Sequence, residues 1–129
     1  NRLRRRGVPI WIDDFGTGWS NLSVLDRLPV TGVKLARELV VDEDGAVKED
    51  LVRAARALAD AVGFTVTAEG VETPEQLAAL CRLGVPIVQG YLISRPMSAG
   101  QADEWLTWYD RGGNADATTS TAPPSVPGP

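Results

Sequence analysis

Apolar and polar positions fall along this chain in a repeating pattern: a short apolar run that ends on a polar or acidic residue, then an amphipathic stretch. Ile10, Trp11 and Ile12 form the first run and read as a buried parallel strand. Beyond it, Ser20 or Asn21 can cap a helix whose Leu22, Leu25 and Leu28 recur every three residues, and Pro29 ends it. A second strand is predicted over Gly32–Leu35. Leu51, Val52, Ala55, Leu58, Ala59 and Val62 then mark one face of a helix over about residues 47–62, stopped by Gly63. Residues 64–68 read as the third strand, ending at Glu69. Thr73, Pro74 and Gln76 carry the signature of a capped helix start, and that helix runs through Leu77, Leu80 and Leu83 to Gly84. Ile87 and Val88 make a fourth strand ending at Gln89. Ser98 and Gln101 open a last helix bearing Trp105, Leu106 and Tyr109, and the tryptophans are expected to cover core rather than stack on bases.

Strand and helix alternate four times, which predicts an α/β fold with a parallel sheet and right-handed crossovers. Eight such units close a TIM barrel; an open doubly wound sheet fits the periodicity equally well. Residues 112–129 are rich in Thr, Ser, Pro and Ala and cannot bury enough surface to offset the entropy of ordering. A disordered tail or linker is expected there, with residues 1–111 as the folded unit.

Chemistry concentrates where the first strand ends. Asp13 and Asp14 are adjacent, and Gly16 and Gly18 follow them in a loop that can turn tightly. One acid would suffice to cap the next helix. Two neighbouring carboxylates repel unless a cation or strong donor offsets them, which favours a divalent ion such as Mg2+ or Mn2+. The acidic turn at residues 42–45 lacks the full ligand spacing of an EF-hand and reads as a solvated loop. Arg2, Arg4, Arg5 and Arg6 fit the last turn of a helix ending near Gly7.

Composition removes several classes of activity. The 129 residues are 43% hydrophobic and 23% charged, as in an ordinary globular protein. There is no histidine, and Cys81 is the single cysteine. Histidine general bases, Cys/His nucleophile pairs, His- or Cys-based zinc sites and an internal disulfide are thereby excluded within the chain, leaving carboxylates, lysine and hard metals. Cys81 sits in an amphipathic pattern and is expected to pack rather than react. A net charge of −4 gives no field for a nucleic-acid polymer. No apolar run approaches the roughly 20 residues of a membrane span, and no signal peptide is evident. The chain opens on Asn1 rather than methionine, so it reads as cut from a longer protein, with a cytoplasmic location expected for this part.

The segment Asp13-Asp14-Phe15-Gly16-Thr17-Gly18-Trp19-Ser20 resembles the DDFGTG loop of EAL-domain cyclic di-GMP phosphodiesterases. Further matches follow in family order: Leu28-Pro29-Val30, Val33-Lys34-Leu35, Ala68-Glu69-Gly70-Val71-Glu72-Thr73, and Gln89-Gly90-Tyr91-Leu92 with Ser94-Arg95-Pro96. The resemblance covers the C-terminal half of that domain and implies a variant TIM barrel, of which this chain would supply the last four strand–helix units. It implies hydrolysis of cyclic di-GMP to linear pGpG at a two-metal Mg2+ or Mn2+ site. Asp13 and Asp14 would be metal ligands, with the remaining ligands upstream. Lys34 and Glu69 would be catalytic, and Glu72 and Gln89 would support the site. A homodimer contact through residues 13–20 is a candidate interface. Active members generally carry aspartate where this chain has Ala36, and that spacing suggests Lys34 lacks a carboxylate neighbour. The alternative to an enzyme is therefore a degenerate domain that binds the nucleotide or a protein partner.

Overall fold

The computed structural model describes residues 2–17 and 29–111. Strands β1 (Trp11–Phe15), β2 (Gly32–Leu35), β3 (Thr65–Ala68) and β4 (Ile87–Val88) form one parallel sheet in the order β1-β2-β3-β4. A doubly wound sheet reverses its strand order at a switch point. No reversal occurs here, so the strands follow one another as the staves of a TIM-type barrel do. The sheet is an arc of such a barrel.

Among the described residues four helices accompany it: α1 (Arg37–Val40), α2 (Glu49–Val62), α3 (Pro74–Arg82) and α4 (Ala99–Asp110). The basic segment before β1 forms only a 3-10 turn, Arg4–Arg6. Helix α1 has no counterpart in the sequence reading, since a four-residue helix is too short to show a period. The helix expected around Leu22, Leu25 and Leu28, and the tail expected at residues 112–129, lie outside the described residues.

The core lies between the sheet and α2 and α3. Val33 and Leu35 of β2 and Val66 and Ala68 of β3 meet Val52 and Ala59 of α2 and Leu80 of α3, with Phe15, Val40 and Val71 at its margins. Side chains alternate across a strand, so Lys34 between Val33 and Leu35 points to the other side of the sheet. Two expected core residues are exposed. Leu51 is 49% exposed because Val52 takes the buried stripe, and adjacent residues of a helix lie about 100° apart. Cys81 is exposed for the same reason, one step beyond buried Leu80. Helix α4 buries no residue fully. Trp11, Trp105 and Trp108 are half-buried.

The acidic turn is a small closed hairpin. Val41 and Val47 form an antiparallel bridge, and Asp42 Oδ1 accepts from the backbone N–H groups of Asp44 and Ala46 at 3.0 and 2.8 Å. It spends its lone pairs on its own turn, as a short polar side chain readily does.

Candidate functional site

Strand β1 runs through both aspartates instead of ending before them, and it carries an irregularity there. Ile12 pairs with Val33 and Phe15 with Leu35, so three steps on β1 answer two on β2. The extra residue is a bulge, and Asp14 takes it up with φ of 51°. Adjacent side chains of a regular strand point to opposite faces. Here one carboxylate oxygen from each of Asp13, Asp14 and Glu69 lies within 4.8 Å of the others.

Lys34 stands among them. Its Nζ donates to Asp13 Oδ1 at 2.7 Å and forms an ion pair with Glu69 Oε1. The hydrogen bonds to Asp13 and then to Glu69 raise the Lys34 ammonium above its ordinary pKa. The hydrogen bond from Lys34 holds the Asp13 carboxyl below the usual carboxylate value. Three consecutive strands thus deliver Asp13, Lys34 and Glu69 to one point at their carboxyl ends, the end where barrels of this type place their chemistry. The expectation that Ala36 leaves Lys34 without a carboxylate is corrected by this geometry. Asp13 and Glu69 supply two from neighbouring strands, which spacing along β2 alone could not reveal. Ala36 itself is 2% exposed and begins α1.

Glu69 opens a loop that runs to the α3 cap. Gly70 has φ of 72°, and a Cβ there would run into the stem of Arg37. Val71 is fully buried and its N–H donates to Gln89 O at 3.1 Å. Gly90 lies so close to the backbone of Val71 that no side chain would fit. Asp14, Glu69, Glu72 and Gln89 line one open cleft of about 360 Å³ with Arg37, Glu38 and Tyr91. Glu72 does not join the carboxylate group around Lys34; its Oε1 lies 3.6 Å from Arg37 Nε. Gln89 lines the cleft, its N–H donating to Ala68 O and its carbonyl accepting from Val71 N–H.

The sequence gives Arg37 no role, and Arg95 appears there only within the matched Ser94-Arg95-Pro96 stretch. Arg37 is the first residue of α1, and Arg95 lies over the Tyr91 ring with its guanidinium 4.4 Å from the centroid. The available signal for Arg37 was position, two residues past the end of β2. The donor set fits a hard divalent ion, since carboxylate oxygens gathered this closely suit Mg2+, Mn2+ or Ca2+.

The EAL domain model matches residues 1–96. The chain belongs to the EAL domain family. It is 43% identical over 109 residues to the cyclic di-GMP phosphodiesterase NbdA of Pseudomonas aeruginosa, covering 84% of this chain and 14% of that protein. Among solved structures, the EAL domain of Mycobacterium smegmatis DcpA matches with a TM-score of 0.74 and 40% identity, over 82% of this chain and 48% of that one. Klebsiella pneumoniae BlrP1, solved as manganese and calcium complexes with cyclic di-GMP, matches with a TM-score of 0.63 and 41% identity, over 73% of this chain and 24% of that one. The chain therefore spans about half of a solved EAL domain and a small part of its longer relatives. Among the described residues no helix is long and apolar enough to cross a membrane.

Proposed function

We propose that this chain contributes half of the active site of a divalent-metal-dependent phosphodiesterase that opens one ester bond of cyclic di-GMP to give linear pGpG. The observation that supports it is the meeting of Asp13, Lys34 and Glu69 at three successive strand ends, with Asp14 beside them. On this reading Asp13, Asp14 and Glu69 hold Mg2+ or Mn2+, with further ligands from the other half of the domain. Bound there, such ions supply a nucleophile at neutral pH and neutralise the attacked phosphodiester. Lys34 offsets negative charge that develops at phosphorus, and its two carboxylate partners fix the ammonium in place. Glu69 accepts or holds the proton of the attacking water. Glu72, through Arg37, and Gln89, through Val71, shape the cleft wall on which the nucleotide rests. The proposal extends to a homodimer contact through residues 13–20, of which 18–20 lie outside the described residues.

A second reading, a cyclic di-GMP-binding module without turnover, is favoured by Ala36, which puts a buried methyl group where active members generally have a carboxylate. The two readings part on one experiment. The intact protein with Mn2+ should convert cyclic di-GMP to pGpG, followed by chromatography. Lys34→Met and Glu69→Gln should lower kcat by about 10²-fold or more while nucleotide binding persists. Binding with no pGpG from the parent protein leaves the module; neither binding nor turnover removes both.

A further inference from the structure

Gln76 is one of two polar residues buried among the described residues, at 4% exposure. A buried amide without partners is costly, and both polar atoms of this one have partners. Its Oε1 accepts from the N–H groups of Glu72 at 2.7 Å and Thr73 at 3.2 Å, and its Nε2 donates to Gly45 O at 2.9 Å. The bond to Thr73 is half of an ordinary capping box, completed by Thr73 Oγ1 accepting from Gln76 N. The other two bonds are not capping bonds. One grips the loop that begins at Glu69, and the other ties that loop to the hairpin turn at Gly45, which Asp42 stiffens from inside.

We infer that Gln76 is a positioning residue for Glu69: its buried amide clamps the loop of residues 69–73 to the turn of residues 42–45 and so holds the Glu69 carboxylate against Lys34 and Asp13. The loop needs such a clamp. Glu69 and Val71 are fixed by their N–H bonds to Leu35 O and Gln89 O, Val71 O accepts from Leu92 N–H, and Gly70 between Glu69 and Val71 is in the left-handed region, so these bonds hold the loop at two points and leave its far end, at Glu72, to a third. Gln76 supplies that third fixed point. Helix α4 offers an internal control. Ser98 and Gln101 form the same capping box, but Gln101 is half-buried and its only side-chain bond among the described residues is to Ser98 N at 2.8 Å.

This inference rests on the functional reading above for its metal readout and on the loop geometry alone for its exchange readout. In the intact protein, Gln76→Leu should speed amide hydrogen exchange across residues 69–73 by about tenfold relative to α2, the effect of losing roughly one hydrogen bond's worth of local stability. The same variant should bind Mn2+ about tenfold more weakly, and Gln76→Glu, which keeps an accepting oxygen but sets a buried carboxylate against Gly45 O in place of the donor, should weaken binding as well. Gln101→Leu should leave both readouts unchanged. If Gln76→Leu does not fold, Gln76→Asn is measured in its place, because it buries an amide one methylene too short to reach Glu72. Exchange that rises evenly over the whole protein, or weakening at Gln101→Leu equal to that at Gln76→Leu, would overturn the positioning role. Failure of the parent to bind Mn2+ would overturn the metal reading and leave the exchange comparison to decide this one.

Discussion

Helices α3 and α4 begin on the same device, a complete capping box built from Thr73 and Gln76 in one and Ser98 and Gln101 in the other, yet α3 fully buries Gln76, Ala79 and Leu80 while α4 fully buries no residue. The apolar stripe of α3 joins the core cluster: Leu80 belongs to it with Val33, Val66 and Val52, and Leu77 and Leu83 pack against it. The aromatic residues of α4 meet one another, and Trp105 also lines a shallow pocket with Val88, Ile93 and Met97. Trp105 stacks on Tyr109 with ring centroids 5.4 Å apart and tilts against Trp108 at 5.9 Å. Capping chemistry is local, so it sets where both helices start. Burial depends on what stands opposite, and there the two part company.

The comparison is broken most directly by truncating one leucine in each helix. Leu80 is fully buried in the core cluster, and Leu106 is 53% exposed. Leu80→Ala should destabilise the protein by about 2–5 kcal/mol, and Leu106→Ala by no more than about 0.5 kcal/mol, read from urea unfolding. Equal losses would mean that α4 is as integral as α3. The caps give a smaller effect. Thr73→Ala should cost about 1 kcal/mol and shift the whole transition, while Ser98→Ala should fray α4 alone, visible as lost helical signal before the main transition. A Ser98→Ala protein that unfolds in one step with the same loss as Thr73→Ala would show the two helices to be one cooperative unit.

The smallest effect concerns the charges of the site, for which α4 provides no equivalent. Lys34 holds Asp13 below its ordinary 3.8, so the pair's contribution is present above that pH and is lost as pH falls through the lower folded value. Lys34 is raised above 10.5, so on the alkaline side the contribution is present below that pH and lost as pH rises through the raised value. Between these limits the pair adds no pH dependence. Without metal, Asp13→Asn should therefore flatten the fall in urea midpoint between about pH 5 and pH 2, slightly, because Asp13 is solvent-exposed. A Leu106→Ala protein should keep the parent's pH curve.

Much of this architecture was legible residue by residue. Gly32–Leu35 and the starts at Thr73 and Ser98 are where the pattern puts them, since a strand between breakers and a capping box are local statements. Asp13, Asp14, Lys34 and Glu69 were legible as strand-end residues, and the chain order of the sheet brings them together. Their partners were not. That Lys34 lies between Asp13 and Glu69 depends on register across three strands, and the bulge in β1 shifts that register by one residue. Neither leaves a trace in composition or period. Leu51 and Cys81 were misplaced because a hydrophobic stripe has edges, and a residue one step off the stripe reads the same in one dimension.

The bulge also narrows what position 14 can be. With φ of 51° the backbone there accepts glycine without cost and asparagine or aspartate at little, but penalises branched or bulky side chains. The proposed cation site asks separately for an anion, and of that short alphabet aspartate alone carries one. Glutamate would keep the charge and strain the chain; asparagine would keep the chain and discard the charge. Backbone shape and charge thus filter the same position independently, and Asp14 is the residue that passes both.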